Sequence, residues 1–229
     1  VARTFDGAGD RLTVSIGLTG FVMGPGTAAA IVKRGADGAI HSIFHAGAAT
    51  SGANRWMLRM DAANKIDLAT PTAVAAATLT VTVANGWSLI AASKASGTST
   101  PRFHRYIFST NVWSHEDGAS TLADSGTPIT TSCMGEQASG SGDYNGDIAI
   151  AGIWNVVLTD TQIESLAFSL QAWFQVQPKG LWLLDQAATT HKVADLTGGG
   201  ARESALTGTT VATSAVPVFS YGHPIDPHY

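Results

Sequence analysis

The sequence predicts an all-β fold, a sandwich or barrel of short strands, with one short helix in the C-terminal half. Three observations predict it: short stretches in which apolar and small polar residues alternate, turn signals between them at close spacing, and a single segment whose apolar residues recur at helical spacing. A chain of 229 residues is of the length that one large all-β domain uses. No repeat or low-complexity linker divides it, so one domain over 1–229 is expected.

Alternation begins over residues 13–22 and resumes over 30–44, cut by Gly17, Gly20, Gly24, Gly26, Gly35 and Gly38 as turn positions. Further strands are expected over 55–60, 78–83, 87–92, 102–108 and 147–157, and one more over 181–185. Between Thr159 and Phe174 the period changes: Ile163, Leu166, Ala167, Leu170, Trp173 and Phe174 share a helical face. Thr159 is the natural N-cap, Gln162 completes a capping box, Asp160 suits the first turn, and Pro178 lies beyond the end. Residues 216–229 carry Pro217, Pro224 and Pro227 among Val218, Phe219, Tyr221, Ile225 and Tyr229. Proline keeps such a segment out of a central strand, and its apolar content keeps it out of bulk water. An extended C-terminal arm making oligomer or particle contacts is therefore expected.

Hydrophobic residues make up 45% of the chain and charged ones only 13%, enough for a sizeable core under a neutral surface suited to packing against protein. The net charge is −4, and the basic residues fall in small groups without interleaved aromatics, which argues against nucleic acid. Cys133 is the single cysteine and cannot form an intrachain disulfide, which fits synthesis in a reducing cytosol. There is no basic-then-apolar leader and no apolar run of spanning length, so no membrane partner is expected. Val1 fits a cytosolic product trimmed of its initiator methionine.

Four stretches together resemble the laminin-G-like, or concanavalin A-like, jelly-roll domains of bacteriophage virion proteins. Phe5-Asp6-Gly7-Ala8-Gly9-Asp10 is similar to the opening strand and turn, and Gly86-Trp87-Ser88-Leu89-Ile90-Ala91 to the central strand whose Trp anchors the packing. Gly146-Asp147-Ile148 through Ile153-Trp154-Asn155, then Leu158-Thr159-Asp160-Thr161-Gln162-Ile163, resembles the strand and helix near the family's end. Gly180-Leu181-Trp182-Leu183-Leu184-Asp185 and Asp195-Leu196-Thr197-Gly198-Gly199-Gly200 resemble elements that open many family members, so the strand order looks circularly permuted. The resemblance implies a two-sheet antiparallel jelly-roll sandwich. It also implies a non-enzymatic virion structural protein, assembled in the host cytoplasm: a capsid decoration protein on the particle surface. Its partners would be the major capsid protein, other virion proteins and copies of itself. The alternative it implies is a minor tail protein or a carbohydrate-binding module recognising the host surface; the absence of heptads or collagen-like triplets argues against a shaft-forming fibre.

Catalytic chemistry finds little footing. A retaining glycosidase needs two carboxyls about 5 Å apart, which on a strand means two residues apart, and none of Glu116, Glu136, Glu164 and Glu203 has such a neighbour. The adjacent Glu116 and Asp117 read as a solvated turn. No G-x-S-x-G elbow or phosphate loop occurs, and Cys133 has no basic neighbour in sequence. His41 and His45, on one side of a strand, would stand about 13 Å apart, too far to share a metal. No cofactor is expected; calcium is the one ion worth placing, with Asp6 and Asp10 around a Gly turn and Asp143 and Asp147 around Tyr144 as candidates. The same pattern serves ordinary Asx turns. Among the aromatics, Trp113, beside an expected turn, and Tyr144, in a Gly-rich loop, are the candidates for an exposed platform facing a glycan or partner.

Overall fold

A computed structural model describes residues 2–14, 24–47, 55–70, 73–124, 131–135 and 142–184, together with three short strand segments beyond them. The fold is a two-sheet antiparallel jelly-roll sandwich, and each sheet is eight-stranded. Sheet one runs β10 (Val112–Asp117), β9 (Arg102–Ile107), β8 (Trp87–Lys94), β3 (Gly26–Arg34), β12 (Asn145–Trp154), β1 (Arg3–Asp6) and β16 (Thr210–Val211), with β13 (Gly180–Leu183) also paired to β12. Sheet two runs β14 (Val193–Ala194), β15 (Glu203–Thr207), β2 (Arg11–Val14), β11 (Thr131–Met134), β4 (His41–Gly47), β5 (Arg55–Met60), β6 (Lys65–Ala69) and β7 (Val74–Thr80). The expected strand residues 15–22 and the arm at 216–229 lie outside the described residues. Among the described residues no helix is long and apolar enough to cross a membrane.

Alternation sorts the side chains into two cores. On β3, Ala28, Ala30 and Val32 face sheet two, whereas Ala29 and Ile31 face outward; on β8, Ile90 and Ala92 face in, while Trp87, Leu89 and Ala91 face out. Both faces are buried, because the outer face of sheet one is covered by the segment after β12. There Trp154, Leu158, Ile163, Leu166, Ala167 and Trp173 form the second cluster. A bulge in β12 between Ile148 and Ile150 places Ala149 and Ile150 together on that outer side, while Ile148, Ala151 and Ile153 stay in the inter-sheet core.

The covering segment is not the single helix expected from its period. It forms α1 (Asp160–Ser165) and α2 (Ala172–Gln175), with the amides of Leu166, Ala167 and Phe168 bonding three residues back instead of four. The Leu166 carbonyl, which the next helical turn would use, accepts the Trp173 indole N–H at 3.0 Å instead. The capping box forms as expected, with the Thr159 side chain accepting from the Gln162 amide and Gln162 Oε1 accepting from the Thr159 amide. The apolar period survives the break, except that Phe174 is exposed.

Three further elements differ from the sequence expectation. β7 lies earlier than the stretch expected at 78–83, and the chain then enters a 3-10 turn at Val83–Asn85. β10 is a strand where the sequence suggested a turn. Its Glu116 accepts hydrogen bonds from the Thr78 amide and hydroxyl and the Leu79 amide, tying sheet one to β7. In β4 a bulge puts Ile43 and Phe44 both in the core, which reverses the alternation. His41 therefore contacts the Tyr144 ring on the core side, while His45 stands on the other face beside Cys133.

β1 pairs with β12 over Asn145–Ile148 and β13 over Ile150–Ile153, end to end along one edge. A chain whose first strand and post-helix strand lie in line can exchange their order with little rearrangement.

Trp154 is buried, and its indole N–H donates to the Val176 carbonyl. Trp154→Ala should cost about 3–5 kcal/mol. Gly146 has φ of +142°, and a Cβ there would overlap the Lys33 carbonyl oxygen, so Gly146→Ala should destabilise comparably. Urea unfolding midpoints check both; unchanged midpoints would contradict the packing described.

Candidate functional site

Among the described residues, two places gather polar chemistry at the surface. One is an open groove of about 590 Å³ at the rim, lined by Gly7, Ala36, Ala39, Ile40, His41, Gly142, Asp143 and Asn145. The calcium candidates Asp6, Asp10 and Asp143 meet beside it. One oxygen of each serves the loop itself: Asp10 Oδ2 accepts from the Asp6 amide at 2.8 Å, Asp6 Oδ1 from the Ala8 amide at 2.8 Å, and Asp143 Oδ2 from the Gly9 amide at 3.1 Å, while Asp143 Oδ1 is buried without a hydrogen-bond partner. Burial, with the charges of Asp6 and Asp143, raises the Asp10 pKa. Asp147 stands apart and accepts the Thr4 hydroxyl at 2.6 Å. Among the described residues no group of three or more His, Cys, Asp or Glu side chains is arranged to hold a metal ion.

Tyr144, a sequence candidate for an exposed platform, is fully buried. It packs edge-on against Phe5 and His41, and its hydroxyl donates to the Lys33 carbonyl at 3.1 Å. The Gly-rich loop suggested exposure, but the ring turns inward and plugs the end of the inter-sheet core, so it cannot contact a ligand. His41 has Nδ1 2.9 Å from the Asp143 carbonyl and 3.1 Å from the Asn145 amide. Burial, ahead of these contacts, lowers its pKa.

The second place is the outer face of the β9–β10 hairpin. Trp113, His115 and Asp117 stand directly opposite Tyr106, His104 and Arg102. Trp113 is half-buried, its inner side held by the rings of His104, with centroids 5.6 Å apart, and Tyr106, 6.4 Å apart. The capping box at Thr159 brings Asp160 over this row. Arg102 grips Asp160 with both prongs, Nε to Oδ1 at 2.8 Å and Nη2 to Oδ2 at 2.7 Å, while Nη1 donates to Asp117 at 2.9 Å. Hydrogen bonds to Asp160 and then Asp117 raise the Arg102 pKa, and the Arg102 hydrogen bond lowers that of Asp160.

His104 lies beneath Trp113 with neither ring nitrogen hydrogen-bonded, and Asp160 Oδ1 is 3.7 Å from its Nε2. His115 Nε2 is 3.8 Å from Asp160 Oδ2. Of this constellation the sequence marks only Trp113 as a contact residue. The signal for the others was available as a period-2 pattern, Arg102-x-His104-x-Tyr106 and Trp113-x-His115-x-Asp117. It was masked by reading the second half as a turn. Asp160 was legible only as a first-turn acid.

The Glu116–Asp117 pair splits across the strand, Glu116 towards Thr78 and Asp117 towards Arg102. Burial works to raise the Glu116 pKa, but the hydrogen bonds from Thr78 and Leu79 outweigh it and leave it lowered. The Glu116 carboxylate form is therefore favoured, the opposite of what a general acid needs.

No protein-family model matches the chain, and no curated protein sequence matches it. Among solved structures the fold is similar to that of a proposed carbohydrate-binding protein from Bacteroides ovatus, at 14% identity and a TM-score of 0.61, covering 92% of this chain and 59% of that one. It is also similar to tailspike protein 2 of the Escherichia coli O157:H7 bacteriophage CAB120, at 13% identity and a TM-score of 0.52, covering 80% of this chain and 26% of that one. A heptameric SAP-like pentraxin from Limulus polyphemus has 13% identity and a TM-score of 0.50, over 76% of this chain and 88% of that one. The chain thus spans 59% of the length of the first of these proteins, and at such identities the likeness is one of fold.

Burial, against the opposing pull of Asp160, pushes the His104 pKa from 6.5 down to about 4. Between those values the unfolded chain binds a proton that the folded chain refuses, so stability is lost as pH falls from about 6.5 to about 4. Thermal melts across that window should show the decline, and His104→Gln should flatten it. An identical slope in the variant would show that His104 is not the group responsible.

Proposed function

We propose that this chain is a non-catalytic glycan-recognition domain whose contact surface is the outer face of the β9–β10 hairpin. The observation that carries the reading is Trp113, half-exposed and fixed from behind by His104 and Tyr106, beside the Arg102–Asp160–Asp117 network and the exposed His115. A rigid aromatic face with planar polar groups at its border is how proteins hold sugar rings: the indole covers C–H faces, and the polar groups meet hydroxyls. Carbohydrate binding proposed for the similar Bacteroides ovatus protein supports the reading.

The expected capsid decoration role has no support from these likenesses, and we do not propose it. The tailspike likeness favours a second reading within the same chemistry, in which the domain serves as a recognition module of a phage tail protein at the virion surface. Mass spectrometry of purified particles, with antibody labelling of their tails, would test that placement.

Affinity electrophoresis through gels containing host-surface or plant polysaccharides should reveal retardation. Trp113→Ala should weaken it at least about tenfold, the loss of a stacking contact and its buried area. Circular dichroism should show the sandwich intact in the variant, and no reducing ends should be released by the wild type. Retardation unchanged by Trp113→Ala would move the site elsewhere, and released reducing ends lost in Asp117→Asn would make the domain an enzyme.

A further inference from the structure

We infer that the Trp113 face selects neutral, hydroxyl-bearing sugars and rejects glycans that present a carboxylate. This inference rests on the glycan-recognition reading and specifies its ligand class.

Among the described residues Arg102 is the one cation at the face, and three of its five N–H donors are committed. Of a guanidinium's five N–H groups, Nε–H and one on Nη2 hold Asp160, and one on Nη1 holds Asp117. The Nε/Nη2 edge is already closed on Asp160, and the Nη1 bond to Asp117 draws on the remaining Nη1/Nη2 edge. A carboxylate ligand taking the Nε/Nη2 edge would have to displace a bidentate partner held at the start of the Thr159-capped helix.

The charge balance points the same way. Among the described residues, Asp117 and Asp160 place two negative charges at the face against the single positive charge of Arg102. His104, held neutral by its burial beneath Trp113, supplies no compensating charge. The chain as a whole carries −4, so no long-range field draws in a polyanion.

The acceptors, by contrast, are accessible. The Asp117 side chain is 67% exposed and that of Asp160 41% exposed. A carboxylate engaged by Arg102 through one lone pair per oxygen retains further lone pairs for hydroxyl donors. Sugar hydroxyls can donate to them, whereas a sialic or uronic acid brings a like charge to the same place.

The test uses matched glycan pairs that differ only by a terminal sialic or uronic acid, immobilised as an array and probed with the full chain and two variants. Binding should be confined to the neutral members, with acidic partners at least about tenfold weaker, as expected for like charges a few ångströms apart at a wet surface. Asp117→Asn removes one negative charge at an exposed position where an ion pair adds little stability. That variant should narrow the gap between neutral and acidic members, and raised salt should narrow it in the wild type. Trp113→Ala should lose both classes. Trp113-dependent binding of acidic members at equal or greater strength would overturn this inference and leave glycan recognition standing. An array with no Trp113-dependent signal of either class would overturn both.

Discussion

Strands β3, β8 and β12 are buried on both faces, and the other layers are arranged around that constraint. A strand with water on one side can carry polar residues at every second position; these three instead carry unbroken apolar runs over Ala28–Val32, Leu89–Ala92 and Ile148–Ala151. Sheet two covers one face. The other must be covered by something of comparable apolar area, and the segment from Leu158 to Trp173 supplies it. The bulge in β12 belongs to the same requirement, since it supplies two consecutive outward residues, Ala149 and Ile150, where the helical layer sits.

The candidate recognition face depends on this layer as directly as the core does. Asp160 reaches Arg102 because α1 starts where the Thr159 cap fixes it, and α1 lies where Ile163 and Leu166 pack. His104 belongs to the same arrangement at a cost: an imidazole with no hydrogen-bond partner is less favourable in the interior than an apolar ring of its size. Its position under Trp113 fixes the indole plane, so a destabilising group in the packing is an orienting group at the surface.

Much of the architecture was legible in the sequence because it is written in local periods. Arg55–Met60 appears as read, β8 and β9 nearly so, and the Thr159 cap in full. What was not legible depended on partners distant in the chain. Where the helix breaks, the Trp173 indole takes a carbonyl seven residues away, a contact that no propensity encodes. Tyr144 looked exposed because its neighbours are glycines and aspartates, yet packing against Phe5 and His41 decides its direction. The face around Trp113 was half visible: the aromatic stood out, while the two histidines and Arg102 needed the hairpin register to bring them together.

Glu116 has a role beyond joining the sheets. β7 ends sheet two, and a terminal strand with bare amides and carbonyls invites another chain to pair with it. Here the amides of Thr78 and Leu79 are occupied by the Glu116 carboxylate, and the Thr80 carbonyl receives Arg105 Nη1 at 2.6 Å. One acid and one base on the neighbouring hairpin thereby occupy backbone groups that an intruding strand would need. This side of the molecule is built to resist strand addition and the fibrillar self-association that follows from it.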